Sequence, residues 1–213
     1  MARTRSPGYD DQRDLIVQHA AALFAQRGYP ATSMNEVAQA CGLSKPSLYH
    51  YYRDKYSLLV TIAETHVRGL LKVVEDAEAL GEPADRRLRT LIERFLHEYA
   101  HAQNAHRVLT EDVRFLEGDD RTRILAIERQ VVDAFARTMT EMRPELDAAG
   151  LAKPLTMLLF GMINWMFTWL KPDGPMTHEA MAPVVADLFF GGLPAVRTGA
   201  PAAPPARKRK AAP

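Results

Sequence analysis

The sequence has little of the chemistry that marks secreted, membrane-spanning or disulfide-bonded proteins. It contains one cysteine in 213 residues, so neither a disulfide within the chain nor a cysteine-rich zinc site can form. Its longest apolar stretch, residues 155–170, is shorter than the roughly 20 residues that a membrane span needs and is interrupted by polar side chains. The N-terminus lacks the apolar segment of a secretory signal. We therefore expect a soluble, cytoplasmic protein without a membrane partner.

Sequence motifs for catalysis are also missing. We find no P-loop, no dinucleotide-binding glycine motif and no nucleophile elbow. His97 and His101 have the i, i+4 spacing at which two histidines bind a metal on a helix face, but no third ligand lies beside them in sequence, which favours a solvated face. We expect no catalytic residues, no metal site and no cofactor. An enzyme is kept as a remote alternative.

The net charge is only +1, but the charge is unevenly distributed along the chain. Up to Lys55 there are seven basic against five acidic residues, and residues 56–196 carry fifteen against twenty-one. Residues 197–213 carry five basic and no acidic residues, and their Ala- and Pro-rich composition predicts disorder. An acidic body with basic ends predicts that a polyanion binds to the two ends of the chain and not to its middle. The basic tail 207–210 either adds non-specific DNA affinity or is an idle solubilising end.

Apolar residues recur at spacings of three and four along the chain, and the alternation typical of strands does not occur. This pattern predicts an all-α fold of about nine helices. Glycine and proline break it near residues 28–30, 42, 81–83, 144–150 and 171–175. We expect a flexible N-terminus at 1–10, a DNA-binding domain at 11–55, a ligand-binding and dimerisation domain at 56–196, and a disordered basic tail at 197–213.

Two short helices separated by a glycine-containing turn indicate a helix-turn-helix within residues 32–55. Ser33 and Glu36 have the form of a capping box for the first short helix, and Ser44 is placed to cap the second. Leu48 and Tyr52, four residues apart, are predicted to face the core. The side chains expected to contact DNA, mostly at phosphates, are Thr32, Ser33, Ser44, Lys45, Pro46, Ser47, Tyr49, His50, Tyr51 and Lys55.

Tyr49 and Lys55 are the strongest phosphate candidates in this set, because Lys55 would start a helix whose backbone N–H groups also face anions. The competing interpretation is that residues 49–52 form an aromatic core patch. Since only a few contacts of such a helix reach base edges, Lys45, Ser47 and His50 are the candidates for base or phosphate contact.

Residues 32–38 (TSMNEVA) and 41–55 (CGLSKPSLYHYYRDK) resemble the N-terminal domain of the TetR family of transcriptional regulators. Three positions depart from that family's pattern: Tyr51 stands where histidine is usual, Tyr52 where phenylalanine is usual, and Tyr56 where glutamate is usual. The resemblance implies a homodimer that binds a palindromic operator and a body that takes a small-molecule effector. It favours a repressor and leaves an activator open.

The last two long helices carry more apolar surface than one neighbouring helix can cover. The helix expected near 154–171 is apolar on all sides, and the helix near 177–191 has a broad apolar side. Packing against the same helices of a second chain would remove the apolar surface of both helices from water. The resemblance to the TetR family likewise implies a four-helix dimer interface built from this pair.

Candidate effector contacts in the body are Phe95, Tyr99, Arg129, Asn164, Trp165 and Phe167, since ligand pockets are mostly apolar with a few polar groups. Most of these residues are equally explained as core. Asn164 stands out in an otherwise apolar helix, where it either orients a ligand or bonds across the dimer.

Residues 107–111, 127–129 and 161–174 are similar to parts of TetR-like repressors of fatty-acid, steroid and phenylacetate breakdown, several of which respond to acyl-CoA thioesters. This resemblance implies an acyl-CoA effector, whose phosphates need cations. Candidate cations are Arg86, Arg87, Arg89, Arg107, Arg114, Arg121, Arg123 and Arg129. Surface ion pairs explain each of them as well. The alternative is a multidrug-sensing efflux repressor, whose pocket holds aromatic and acidic residues for cationic drugs.

Overall fold

The computed structural model describes residues 8–170 and 174–198. Ten α-helices and no strand occur within these ranges, so the expected all-α class is confirmed. The helices are α1 (Tyr9–Arg27), α2 (Met34–Ala40), α3 (Lys45–Tyr51), α4 (Lys55–Glu78), α5 (Ala84–His101), α6 (Gln103–Asp112), α7 (Gly118–Met142), α8 (Glu145–Ala148), α9 (Ala152–Asn164) and α10 (His178–Gly192). None of them is both long and apolar enough to cross a membrane.

The structure differs from the predicted helix pattern in three places. Helix α1 begins at Tyr9, inside the segment expected to be flexible. Helix α8 is a single turn where only a break was expected. Helix α9 was expected to continue to residue 171, but it tightens into a 3-10 turn at Trp165–Thr168, because the Trp169 N–H bonds the carbonyl of Met166 three residues back. The expected basic tail at 207–210 lies outside the described residues.

Helix α4 connects two apolar cores. Its first turns, with Leu58 and Ile62, pack with α1, α2, α3, α6 and the start of α7. Its later turns, with Leu70 and Val74, pack with α5, α7, α9 and α10. Because packing continues across residue 55, the N-terminal helices and the body share α4 as a common element.

Candidate DNA-binding interface and effector pocket

Local capping fixes where α2 and α3 begin. The Ser33 hydroxyl accepts from the Glu36 N–H, and the Glu36 carboxylate accepts in return from the Ser33 N–H at 2.8 Å, which completes the predicted capping box. The Ser44 hydroxyl accepts from the Ser47 N–H at 3.2 Å and starts α3, also as predicted. Between the two helices Gly42 has φ of 64°, a left-handed turn that favours glycine.

Helix α3 buries one side and exposes the other. Leu48 and Tyr52 are buried, which confirms their predicted core positions. The opposite side exposes Lys45, Tyr49 and His50, with Pro46 in the first turn. Ser47 is half-buried and its hydroxyl lies 2.7 Å from that of Ser44. The exposed groups are donors of the kind that contact DNA backbone and base edges.

The exposed side of α3 borders a shallow hollow beside the start of α2. Ser33, Lys45 and Tyr49 line this hollow together with Asn35. Asn35 is exposed and sequence reasoning did not select it, because its place inside the capping box marks it only as a helix-starting residue. Its amide has the donor and acceptor groups that suit nucleic-acid contact.

Lys55 is half-buried, and its ammonium bonds within the protein, which argues against its expected phosphate role. Its ammonium donates to the backbone carbonyls of Tyr29 at 2.7 Å, Pro30 at 3.1 Å and Thr32 at 2.8 Å. The ammonium also lies 4.5 Å from the centre of the Tyr29 ring. An ammonium has three donors, so all of them are in use. Burial lowers the pKa of Lys55, with nearby Asp112 opposing that shift.

Packing changes the interpretation of two further residues that were expected to contact DNA, Thr32 and Tyr51. Thr32 is only 2% exposed, and its hydroxyl donates to the Gly28 carbonyl at 3.0 Å, so its side chain supports the turn before α2 and does not reach DNA. Tyr51 is half-buried and stacks on Tyr9 at 4.9 Å between ring centres. Tyr51 therefore fixes the start of α1 against α3.

A cavity of about 270 Å³ lies in the body between α4, α5, α6, α7 and α9. Of the expected effector contacts, Phe95, Tyr99 and Asn164 line it. Arg129, Trp165 and Phe167 are not among its lining residues. Arg129 and Trp165 point away from the core because their side chains are exposed. The ring of Phe167 instead packs 6.0 Å from that of His106.

The cavity also has polar lining residues that sequence reasoning missed, namely His106, Thr110 and Glu128. His106 is 4% exposed and stacks on Tyr99, with ring centres 3.7 Å apart. Its Nδ1 lies 3.3 Å from His66 Nε2. His66 lies on the apolar side of α4 with Ile62 and Leu70, but its partner His106 lies 40 residues away, and no local pattern links the two.

Burial controls the ionisation of these groups. It lowers the pKa of His66 to about 4 and that of His106 to about 3, the second with help from repulsion by His66. Both imidazoles are therefore neutral at pH 7. Burial alone raises the pKa of Glu128. The Tyr99 hydroxyl donates to Asn164 Oδ1 at 2.8 Å.

Several arginines that were candidates for phosphate binding are committed to ion pairs. Arg89 pairs with Asp187 at 2.9 Å, and Arg123 pairs with Glu64 at 3.0 Å. Arg87 and Arg107 are paired with Glu141 and Glu111 in the same way. Within the described residues, Arg86, Arg114, Arg121 and Arg129 form no ion pair, which leaves them as the available cations of the original set.

Two family models match the chain over most of its length. Residues 16–62 match the model described as bacterial regulatory proteins of the tetR family, and residues 81–193 match the tetracyclin repressor-like C-terminal domain. The chain belongs to the TetR family of bacterial transcriptional regulators. The helix-turn-helix interpretation is thereby confirmed, and α3 stands where a recognition helix enters the major groove.

Named relatives of this TetR-family chain match it along most of both sequences. The HTH-type transcriptional activator FasR of Mycolicibacterium smegmatis is 25% identical over 188 residues, which cover 86% of this chain and 84% of FasR. The HTH-type transcriptional repressor KstR2 of Mycobacterium tuberculosis is 25% identical over 195 residues, or 86% of this chain and 94% of KstR2. The relatives thus include both an activator and a repressor.

Solved TetR-family structures share the fold. A regulator from Bordetella parapertussis is 34% identical with a TM-score of 0.82, over 89% of this chain and 99% of that one. AibR, solved in complex with isovaleryl coenzyme A and operator DNA, is 25% identical with a TM-score of 0.73, over 84% of this chain and 98% of that one.

In this TetR-family chain, α9 and α10 leave an apolar face uncovered. Leu158 is 65% exposed and Leu188 is 67% exposed. Met157, Trp165 and Val184 are about half exposed or more on the same two helical segments. Large exposed apolar patches of this kind mark protein interfaces.

Proposed function

We propose that this regulator is a repressor that binds a palindromic operator as a homodimer and is released by an acyl-CoA effector. The observation that carries the proposal is the position of α4. Its first residue, Lys55, is tied to the turn before α2, while Val67 and Leu70 of the same helix line the cavity. A ligand that shifts α4 therefore shifts the helix-turn-helix.

The DNA contacts in this proposal come from the exposed side of α3 and its neighbours. They are Ser33, Ser44, Lys45, Pro46, Ser47, Tyr49 and His50, with Asn35 added. Two such surfaces are needed because the N-terminal domain carries only a small basic excess. A two-fold dimer supplies two recognition helices to the half-sites of a palindrome.

The apolar face of α9 and α10 supports the dimer. Leu158 and Leu188 would be removed from water by the same face of a second chain. A two-fold axis brings equivalent patches together. Asn164 bonds Tyr99 within its own chain, which favours a role at the effector cavity over a bond across the dimer.

Three observations support an acyl-CoA effector. AibR, a structural relative, is solved with isovaleryl coenzyme A. The cavity wall is mostly apolar, as an acyl group requires. Arg114 and Arg129 are unpaired among the described residues and directly follow the lining residues Val113 and Glu128, where they suit the phosphates of coenzyme A.

Helix α6 gives the cavity a second connection to the DNA-binding helices. It contributes His106 and Leu109 to the cavity wall, and it ends at Asp112, a buried residue whose carboxyl lies close to the Tyr29 backbone. Tyr29 belongs to the same turn that Lys55 holds. A ligand that binds against α6 and α4 would therefore move the turn at Tyr29 through both helices. The population of dimers that can bind DNA would fall.

A gel shift with the DNA upstream of the protein's own gene tests the regulator. We expect a specific, salt-sensitive shift that acyl-CoA thioesters reverse. Absence of any specific shift would contradict operator binding at that site. A shift that acyl-CoA leaves intact would contradict the effector assignment alone.

A cationic-drug effector is the second candidate, and the observation that favours it is the half-buried Glu128 carboxyl, which lines the same cavity as the rings of Phe95 and Tyr99. Thermal shift with a panel of acyl-CoAs and cationic dyes separates the two candidates. Stabilisation by dyes alone would replace the acyl-CoA assignment.

A further inference from the structure

Glu128 places an unpaired carboxyl group on the wall of the effector cavity. It lies on α7, is half-buried, and forms no ion pair within the described residues. Burial alone raises the pKa of this carboxyl, so no cation of the described chain stands close enough to oppose the shift. Because burying a carboxylate without a cation costs free energy, an unpaired one on a cavity wall indicates a role in ligand binding.

No other charged side chain lines the cavity among the described residues. The wall contains no lysine or arginine, and its other polar side chains are Tyr99, His106, Thr110 and Asn164. Burial, with repulsion by His66, lowers the pKa of His106 to about 3, so this imidazole is uncharged at neutral pH. Any formal charge on the described wall is therefore that of Glu128, and it is negative.

The Glu128 carboxyl acts on the buried part of the wall. Its charge adds to the effect of burial in raising the pKa of the Tyr99 hydroxyl, so the carboxyl lies within electrostatic reach of that group. Tyr99 is 2% exposed, and its hydroxyl already donates to Asn164 Oδ1 at 2.8 Å. A group that fills the cavity therefore meets a negative potential that the protein itself leaves uncompensated.

The cations that suit coenzyme A lie outside this wall. Arg114 and Arg129 are exposed and do not line the cavity. The phosphates of a bound thioester therefore stay at the surface, and the acyl group enters. About 270 Å³ holds roughly nine groups of the size of a water molecule. An acyl chain of about eight carbons fills such a volume, which brings its terminal group into the field of Glu128.

We infer that Glu128 determines the charge of the acyl group that the cavity accepts, by rejecting a terminal carboxylate and favouring an uncharged or cationic end. This inference rests on the proposed acyl-CoA effector and narrows it to thioesters whose acyl group carries no second carboxylate. Such a carboxylate would lie in an apolar cavity beside a like charge and without a cation, where repulsion is strong. A terminal ammonium would instead form the ion pair that Glu128 lacks.

Three coenzyme A thioesters that differ only at the end of the acyl chain test the inference on the full-length protein. Octanoyl-CoA ends in a methyl group, octanedioyl-CoA in a carboxylate and ω-aminooctanoyl-CoA in an ammonium. We expect isothermal titration calorimetry to give octanedioyl-CoA the highest Kd, about ten-fold or more above that of ω-aminooctanoyl-CoA. Binding of octanedioyl-CoA as tight as that of ω-aminooctanoyl-CoA would overturn the inference.

Glu128→Gln removes the charge and keeps the size of the side chain. An apolar wall disfavours a terminal carboxylate whatever Glu128 does, so the deciding measurement is how each Kd changes in this variant. We expect octanedioyl-CoA to bind about ten-fold more tightly and ω-aminooctanoyl-CoA about ten-fold more weakly, with octanoyl-CoA within about two-fold of its original Kd. Changes in the same direction for both charged compounds would indicate altered packing and overturn the assignment.

Glu93→Gln is the matched control, since Glu93 lies on the exposed side of α5 and does not line the cavity. It should leave all three Kd values unchanged. Glu128→Gln itself removes an unpaired, half-buried charge, so we expect that variant to unfold at a temperature no lower than the unchanged chain. Thermal unfolding followed by circular dichroism measures this for both variants.

The same titrations separate this inference from the proposed function. Binding of none of the three compounds to the unchanged chain overturns the acyl-CoA effector and the role of Glu128 together. Binding of octanoyl-CoA, with no change for either charged compound in Glu128→Gln, keeps the acyl-CoA effector and overturns the role of Glu128 alone.

Discussion

The ammonium of Lys55 bonds three backbone carbonyls of the turn between α1 and α2, and so fastens that turn to the first residue of α4. A side chain at the start of a helix beside DNA has the right position for a phosphate. In this protein the carbonyls of residues 29, 30 and 32 take all of its donors. The residue thus acts on DNA binding by positioning α2 and α3.

Lys55→Met should therefore lower stability. The substitution keeps the aliphatic stem and leaves three carbonyls without their charged partner, so we expect a loss of about 2 kcal/mol in the free energy of unfolding. Urea unfolding followed by circular dichroism measures it. Lys72→Met, which removes only an exposed pair with Asp76, should change stability by less than about 0.5 kcal/mol. An unchanged unfolding midpoint together with a smaller salt slope of DNA binding would restore the phosphate role.

The neutral pair of His66 and His106 predicts that the stability of the folded protein depends on pH, which is again an effect of single residues. The pKa values in the folded state, about 4 and about 3, lie below the unfolded value of about 6.5. Between these limits the unfolded chain binds more protons. Stability is therefore fully present above about pH 6.5 and is lost as pH falls through 4.

Thermal unfolding from pH 7.5 to 4.5 checks this dependence. We expect His66→Gln to lose stability less steeply on acidification than the unchanged chain, since one titrating group is gone and an amide remains to bond His106. The exposed His19 supplies the control, and His19→Gln should keep the original slope. Identical slopes for His66→Gln and the unchanged chain would show that other titrating groups cause the loss of stability on acidification.

At the scale of elements, α3 is a seven-residue helix whose start depends on the Ser44 cap and whose inner side depends on Leu48. Its outer side carries one cation, Lys45, and the hydroxyl of Tyr49. These two side chains are expected to contribute differently to DNA binding, because only a cation releases a counterion from a phosphate.

Lys45→Ala should weaken operator binding and reduce the salt slope by about one. Tyr49→Phe should weaken binding by about five-fold with the slope unchanged, since it removes a neutral hydrogen bond. Filter binding across a range of salt concentrations measures both. Lys153→Ala, an exposed lysine on α9, should alter neither quantity. A reduced slope for Tyr49→Phe but not for Lys45→Ala would reverse the assignment of the phosphate contact.

At the scale of the whole molecule, assembly decides whether two recognition helices act together. Leu188→Glu places a charge in the apolar face of α9 and α10, and we expect a folded monomer that loses operator binding. Sedimentation velocity measures the mass, and circular dichroism checks the helix content. Leu80→Glu alters a similarly exposed leucine away from that face and should stay dimeric. A dimer that survives Leu188→Glu would place the interface elsewhere.

The sequence by itself determined the features that depend on neighbours within one or two helical turns. The caps at Ser33 and Ser44, the turn at Gly42 and the buried positions of Leu48 and Tyr52 all follow from spacings of three or four residues. The apolar excess of α9 and α10 was also readable, because helical periodicity gives each side of a helix its composition.

Only the tertiary structure decided which side chains meet across helices. Lys55 finds the Tyr29 carbonyl 26 residues away, and His66 finds His106 at a separation of 40. Helix rotation and crossing set these contacts, and periodicity does not encode them. The same packing brought His106 and Glu128 into the cavity wall and kept Arg129 and Trp165 out of it. Long-range packing therefore fixed the chemistry of the pocket, while local spacing had fixed the helix-turn-helix.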